Sequence, residues 1–217
     1  LSRNNIIQDI AFLRKGQYET YKNLGYKCSY LKENYILPEN KKKIKKQNNS
    51  VKELGIYPLN YTWDKNIFNQ LCIAKFIENC HLNYNNLDSR MEEFLNTMEI
   101  HSSPDKIEKI DEDIIAEKVA KNDVIVATSF TEYVHPVFFI SMELGIPCLI
   151  GNNSDFFEKE ELLKQYIVSS AEDNPIINAQ MVENILEKKE KIQELYKTWK
   201  EEYNKKAKDK LEEFLNK

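Results

Sequence analysis

Two loops carry the side chains best suited to bind a charged ligand, and the first of them ends in Lys65 and Asn66. The loop follows a predicted strand at residues 51–57 and directly precedes a helical stretch that begins at Ile67. Free amide groups at the start of a helix favour an anion, and a lysine adds a positive charge. The loop lacks the GxGxxG pattern, which argues against a dinucleotide-binding oxidoreductase. Lys65 and Asn66 at the start of the helix favour binding of an anion such as a phosphate. The alternative for Lys65 is a solvated loop lysine.

The second loop follows a nearly continuous apolar run at residues 123–128. Its candidate ligand contacts are Ser129, Thr131, Glu132, His135 and Pro136. A carboxylate just past a buried strand is typical of a ligand contact or of a helix cap, and Glu132 occupies that position. His135 can donate a hydrogen bond to a phosphate or sugar oxygen, with a packed or surface histidine as the alternative.

Composition excludes several classes of protein. The 217 residues carry 31 basic and 35 acidic side chains, a net charge of −4, and the calculated pI is about 5.6. Nucleic-acid binding usually shows a basic footprint, so we expect no nucleic-acid partner. Cys28, Cys72, Cys80 and Cys148 form no CxxC pair, which favours free thiols in a reducing cytoplasm over a zinc site or a disulfide framework. No run approaches the roughly 20 apolar residues that span a bilayer.

From residue 51 the chain alternates strand-like and helix-like segments. We predict strands at 51–57, 81–87, 99–102, 123–128, 147–151 and 166–169, and helices at 67–77, 91–98, 111–120, 137–144 and 156–165 and from 175 onward. This alternation predicts an α/β fold with a doubly wound, Rossmann-like parallel sheet and long C-terminal helices. We predict that residues 51–217 form this domain, and that residues 1–50 form a separate N-terminal segment with a short helix stopped at Gly25 and a lysine-rich linker at 39–50.

The C-terminal stretch predicts a long surface helix capped near Asp173, Asn174 and Pro175. Its apolar residues share one stripe: Ile185, Ile192, Leu195, Trp199 and Tyr203. Packing of that stripe against the domain is the main interpretation. Binding to a partner helix or to a membrane surface is the alternative, although acids and bases are interspersed along the helix.

The run ATSFTEYVHPVFFISMELGIPCLIGNNS, residues 127–154, resembles the donor-binding region of retaining glycosyltransferases of the GT-B type, family-4-like. The matching positions are Ser129, Glu132, Met142, Gly145 and Pro147. Lys65 falls where these enzymes have a basic residue that contacts phosphate. The order of strands and helices extends the resemblance over about three quarters of the chain, to the C-terminal, nucleotide-sugar-binding domain of that family.

The resemblance implies that the chain binds a nucleoside-diphosphate sugar, with its diphosphate near Lys65 and Asn66 and its sugar near Glu132 and His135. It implies glycosyl transfer, without a metal or a cofactor, to an acceptor held by a second, N-terminal domain. Residues 1–49 are too few to form such a domain. We therefore expect the chain to be the donor half of a longer enzyme and to be inactive alone.

Two departures from the family pattern keep other functions open. Ile140 stands where the family has a second glutamate that holds the ribose, and Glu143 lies three positions further on. Residues 132–136 also stand where the family has a glycine-rich segment. A degenerate glycosyltransferase-like module with a binding or assembly role is therefore one alternative. An unrelated regulator with flavodoxin-like strand order is another, although residues 58–60 lack the acidic cluster expected there.

Overall fold

The computed structural model describes residues 9–12, 14–31, 50–58, 62–85, 88–105, 112–131, 136–152, 157 and 160–216. These residues fall into two compact units. The first unit contains the described residues before Pro38 together with those after Tyr196, and the second contains the described residues between Glu39 and Tyr196. The predicted domain boundary near residue 50 stays a prediction.

The first unit begins with a small parallel sheet. Strand β1 (Ile10–Phe12) pairs with β2 (Cys28–Tyr30), and helix α1 (Lys15–Asn23) connects them. Gly25 follows α1 with a φ of 81°, and the amides of Gly25 and Tyr26 donate to carbonyls in the last turn. Glycine adopts this left-handed conformation without a steric cost, which confirms the predicted helix stop.

The second unit is built on a parallel sheet whose strands alternate with helices. In chain order its elements are β3 (Lys52–Ile56), α2 (Ile67–Ile73), β4 (Cys80–Asn85), α3 (Ser89–Thr97), β5 (Ser102–Asp105), α4 (Glu112–Val119), β6 (Val124–Ala127), α5 (Pro136–Glu143), β7 (Cys148–Ile150), α6 (Glu161–Ile167), α7 (Pro175–Glu187) and the start of α8 (Lys189–Leu215). The sheet order is β5-β4-β3-β6-β7, and all four neighbouring pairs are parallel. The predicted α/β parallel sheet is confirmed.

The strand order reverses between β3 and β6, because the chain first builds outward to β5 and then returns to the other side of β3. This is the order of a Rossmann-like sheet, and it differs from the flavodoxin-like order 2-1-3-4-5. The flavodoxin-like alternative is therefore wrong. All four residues of β6 are buried, as expected for a central parallel strand covered on both faces.

Strand β5, predicted at residues 99–102, begins three residues later than predicted, at Ser102. Glu99 has a φ of 53°, its amide donates to Asn96, and the amide of Ile100 donates to Leu95. This hydrogen-bond pattern is the Schellman ending of a helix, which usually uses glycine at the left-handed position. Because glutamate occupies it here, no local sequence signal indicates that residues 98–100 still belong to the end of α3.

The strand predicted at 166–169 is wrong. Helix α6 continues to Ile167, and the segment reaches the sheet only through an isolated bridge between Val168 and Ile150. Leu163 and Ile167 are both buried one helical turn apart, so the apolar run belongs to a helix. A short apolar run does not by itself distinguish a buried helix from a strand.

The C-terminal helical stretch divides into two helices at Lys188. The side chain of Asn174 accepts hydrogen bonds from the amides of Ile176 and Ile177, which confirms the predicted cap of α7. The apolar stripe of α8 is buried at Ile192, Tyr196, Trp199, Tyr203 and Ala207. Leu195 from the predicted stripe is only half-buried. Burial at these five positions supports packing of the stripe as the main interpretation, and association with a partner helix or a membrane surface stays a prediction.

Candidate functional site

The candidate site lies where the strand order reverses. Strands β3 and β6 are direct neighbours, with Leu54 opposite Val124 and Gly55 opposite Ile125. The loops that leave their carboxyl ends therefore start side by side. In open parallel sheets, ligands bind in the crevice at this switch point. Both loops singled out from the sequence begin here.

The loop after β3 forms a 3₁₀ turn, Trp63–Lys65, just before α2. The amide of Lys65 donates to the carbonyl of Thr62 at 3.0 Å, and that of Asn66 to the carbonyl of Trp63 at 3.1 Å. Lys65 is only 9% exposed, and its Nζ lies 3.4 Å from Oδ2 of Asp64. Lys65 is therefore a buried cation beside one carboxylate, which rules out the solvated loop lysine.

Asp64 joins the two loops, a role that the sequence analysis missed. Its carboxylate Oδ2 accepts from the hydroxyl of Thr131 at 2.6 Å, and its carbonyl accepts from the amide of Phe130 at 2.8 Å. Hydrogen bonds from Thr131 and Thr62 and the charge of Lys65 lower the pKa of Asp64 to about 2. Asp64 is therefore ionised at neutral pH. Its position directly before Lys65 was the available sequence signal.

Asn66 holds three segments together at this edge of the sheet. Its Nδ2 donates to the carbonyls of Thr128 at 3.0 Å and Glu172 at 2.6 Å, and its Oδ1 accepts from Asn69 at 2.6 Å. It is buried, with a φ of 56°. Both polar atoms of the amide are thus engaged within the protein. The arrangement assigns Asn66 a positioning role, in contrast to the direct ligand contact expected from the sequence.

A small cavity opens between the two loops. Its walls include Lys65, Ser129, Tyr57, Pro58, Gln70 and Val137. The cavity volume is ≈ 10 Å³, room for about one water molecule. Ser129 is buried, and Pro136 is an exposed first residue of α5, next to Val137. Of the predicted contacts, Lys65 and Ser129 therefore meet in one cavity, while Glu132 and His135 lie outside the described residues.

Tyr57 fixes the start of the first loop from the other side. Its hydroxyl donates to Oδ2 of Asp105 at 2.8 Å and accepts from Nδ2 of Asn122 at 3.0 Å. Asp105 also lies 3.4 Å from the ammonium groups of Lys118 and Lys121. Burial raises the pKa of Tyr57, so the phenol stays protonated and available as a donor. No sequence pattern predicts the contact between Tyr57 and Asp105, because the two residues are 48 positions apart.

The carboxylate of Glu143, three positions after Ile140, is engaged within the protein. It is buried at the C-terminal end of α5, and Oε1 accepts from the hydroxyl of Tyr196 at 2.7 Å. Burial and this carboxylate raise the pKa of Tyr196. Ile140, which stands where the resembling family has a second glutamate, is half-buried. Glu143, the only carboxylate of α5, is therefore hydrogen-bonded to α8.

Several other features bear on the class of protein. Among the described residues, no three His, Cys, Asp or Glu side chains converge as ligands of a metal ion would. All four cysteines belong to the described ranges, and none is in a disulfide. Burial raises the pKa of the Cys80 thiol to about 12. No helix in the described part of the chain is long and apolar enough to cross a bilayer.

No protein-family model matches the sequence, and no curated protein matches it either. Solved structures do match the fold. Sucrose-phosphate synthase from Thermosynechococcus elongatus gives a TM-score of 0.62 at 13% identity, over 93% of this chain and 53% of that chain. HepE from Anabaena, solved with UDP-glucose, gives a TM-score of 0.66 at 10% identity, over 94% of this chain and 63% of that chain. A glycosyltransferase from Rickettsia africae gives a TM-score of 0.57 at 14% identity, over 76% of this chain and 47% of that chain.

At these identities the likeness concerns the fold. The chain has the Rossmann-like α/β architecture found in glycosyltransferases of the GT-B type. It spans 47–63% of the length of these three proteins.

Proposed function

We propose that this chain binds a nucleoside-diphosphate sugar at the switch point and serves as the donor-binding half of a GT-B glycosyltransferase, family-4-like. One observation carries the proposal: Lys65 and Ser129, from the loops after β3 and β6, line the same cavity. A buried ammonium group and a hydroxyl at the carboxyl ends of parallel strands are suited to phosphate oxygens. The structural similarity to HepE, which was solved with UDP-glucose, supports the same ligand class.

The size of the cavity limits how the donor lies. Because it holds about one water molecule, only phosphate oxygens reach Lys65 and Ser129. The rest of the donor extends along the open edge of the two loops, with its sugar near Glu132 and His135 as the resemblance implies. Asp64 lowers the local positive charge, but its carboxylate is tied to Thr131 and so held in a fixed place beside Lys65.

The chemistry that follows is glycosyl transfer without a metal or a cofactor. When the bond between the sugar carbon and the phosphate oxygen breaks, negative charge develops on the leaving diphosphate. A fixed ammonium group, Lys65, stabilises that charge without reorganisation of solvent. The acceptor would be held by a second α/β domain, since the chain spans about half the length of the glycosyltransferases that share its fold.

The first experiment is calorimetric titration of the protein with UDP, GDP, UDP-glucose and GDP-mannose, with circular dichroism to establish that the sample is folded. Selective binding of one nucleotide and its sugar conjugate is the expected result, and it identifies the base. A folded sample that binds none of the four overturns the proposal.

A second candidate function is supported by Ile140 and Glu143. The position that holds the ribose in the resembling family carries an isoleucine, and the neighbouring carboxylate is hydrogen-bonded to Tyr196. Both facts favour a degenerate module that binds a partner or a nucleotide without catalysis. Turnover distinguishes the two candidates. A donor-binding half, supplied with its acceptor domain and an acceptor, should transfer the sugar to an acceptor oxygen and release UDP or GDP, and a degenerate module should not.

A further inference from the structure

Trp63 is the most exposed large apolar side chain of the described residues, with 82% of its surface open to solvent. Lys65, two positions later on the same turn, is 9% exposed. The two side chains thus leave the turn in different directions, one into the protein and one outward. An indole ring carries a large apolar surface, and burial of that surface normally stabilises a fold. Its exposure at the edge of the candidate site makes the indole available to a ligand there.

The turn that carries Trp63 is held firmly. Asn66 donates its amide to the carbonyl of Trp63 itself, and Phe130 donates its amide to the carbonyl of the next residue, Asp64. The chain therefore presents the indole on a fixed backbone and not on a loose loop. Phe130, which is 36% exposed, lies across this contact on the loop after β6. Two partly open aromatic rings thus flank the point where the two loops join.

The polar groups beside Trp63 indicate the kind of ligand. The Asp64 carboxylate lies 3.4 Å from the Lys65 ammonium group, and Lys65 is buried while Trp63 points to solvent. The outer side of the turn, where the indole lies, therefore offers a carboxylate and no lysine to a ligand, which disfavours an anionic lipid or a nucleic acid there. Thr131 adds an exposed side chain with a hydroxyl, bonded to that carboxylate at 2.6 Å. An aromatic face next to carboxylate and hydroxyl oxygens suits a sugar ring, which has an apolar C–H face and hydroxyl groups around its rim.

We propose that Trp63 contributes to acceptor binding alongside the second α/β domain, and that the acceptor is a carbohydrate whose ring stacks on the indole face at the outer edge of the switch-point crevice. This inference rests on the proposed function. There the diphosphate lies beside Lys65 and the donor sugar lies on the loop after β6, so the ring that Trp63 contacts belongs to the second substrate.

The test uses the fluorescence of the protein, because its other tryptophan, Trp199, is buried at 6% exposure. The intact chain, with and without UDP, is titrated with a panel of neutral saccharides: maltose, cellobiose, lactose, chitobiose and mannobiose. At least one saccharide should change the emission in a saturable way. Trp63→Ala should weaken saccharide binding measured by calorimetry roughly tenfold, and Trp63→Phe should keep part of the affinity. Phe76→Ala removes another exposed aromatic ring, on the 3₁₀ turn after α2, and should have no effect.

Three results would overturn the inference. The first is that no saccharide changes the emission of the folded protein, with or without UDP. The second is that Trp63→Ala leaves saccharide binding intact. The third is that Trp63→Ala weakens UDP-glucose relative to UDP, since Trp63 then contacts the donor sugar. Failure of UDP and UDP-glucose to bind at all counts against the proposed function instead, and saccharide binding that depends on Trp63 would survive it as a separate finding.

Discussion

Asn66 donates its side-chain amide to the backbone carbonyl of Thr128, and this 3.0 Å bond joins the two loops of the switch point. The two residues are 62 positions apart. The same nitrogen also donates to the backbone carbonyl of Glu172. The side-chain Oε1 of Glu172 accepts from the backbone amide of Asn152, which follows β7. One buried amide therefore orders three of the segments that end at the carboxyl edge of the sheet.

Asn66→Gly removes these bonds but keeps a residue that tolerates the φ of 56°. We expect it to lower the free energy of unfolding by about 1–3 kcal/mol, since buried backbone carbonyls lose their donor. Asn66→Ala should cost roughly 1–2 kcal/mol more, because alanine is strained in the left-handed region. Urea denaturation followed by circular dichroism measures both.

Asn79→Gly is the matched control. Asn79 is exposed and has a φ of 54°, so the substitution is the same in type and in backbone conformation. A change within about 0.5 kcal/mol is expected there. An equal loss in both variants would show that the side-chain bonds of Asn66 contribute nothing.

Lys65→Ala tests the proposed phosphate contact. A charged hydrogen bond contributes about 1.5–3 kcal/mol, so UDP affinity should fall by roughly tenfold to a hundredfold. Lys75→Ala removes the same charge from an exposed lysine whose nearest carboxylate, Glu99, lies 3.8 Å away, and should leave affinity unchanged. Equal affinities for the two variants in calorimetry would remove Lys65 from the site. Glu132→Ala, predicted from the family resemblance, should weaken binding in the same assay.

The sequence predicted those parts of the fold that depend on local pattern. The apolar run of β6 and the glycine at the end of α1 are local signals, and both are confirmed. The end of α3 was misplaced because glutamate, not glycine, takes the left-handed position at residue 99. Spacing rules rest on the usual residue at such a position, so they fail where another residue is forced into it.

In the candidate site, too, some features could be predicted from the sequence, and contacts between residues far apart in the chain could not. Lys65 and Ser129 could be predicted because the carboxyl ends of parallel strands meet at one edge. The roles of Asp64 and Tyr57 could not, because their hydrogen bonds reach residues 67 and 48 positions away. The direction of the Asn66 amide was equally hidden, since an asparagine before a helix suits a ligand or a backbone carbonyl equally well.

Glu143→Gln should separate stability from nucleotide binding. The substitution removes the charge that accepts from Tyr196 and keeps the size of the side chain. We expect a loss of about 1–2 kcal/mol in the free energy of unfolding, as for other bonds to buried charged groups, and no change in UDP affinity. A fall in UDP affinity at unchanged stability would instead indicate that Glu143 contacts the ribose. Tyr196→Phe removes the donor of the same bond and should reproduce the stability loss.

Gly55→Ala tests how closely β3 packs. A Cβ at this position would lie 2.5 Å from Cδ1 of Ile125, 2.7 Å from the Tyr57 ring and 2.8 Å from Cγ of Asn122. Overpacking of this kind costs about 1–3 kcal/mol, so the melting temperature should fall. Gly16→Ala provides the comparison, because no atom lies within 4 Å of its added Cβ and alanine favours the helix. A tolerated Gly55→Ala would mean that Ile125, Tyr57 and Asn122 all shift at little cost.

The link between Asp64 and Thr131 should be visible in the acid titration of Asp64. Its folded pKa of about 2 lies below the ordinary value of 3.8, so the ionised form is favoured by folding. The resulting contribution to stability is present above the unfolded pKa and is lost as the pH falls through the folded one. Thr131→Val removes the largest cause and should raise the midpoint in a carboxyl-detected NMR titration. Asp88, whose pKa is lowered by its bond to Arg90, provides an internal standard that should not move. If the Asp64 midpoint also stays in place, the hydroxyl of Thr131 does not hold the two loops together through this carboxylate.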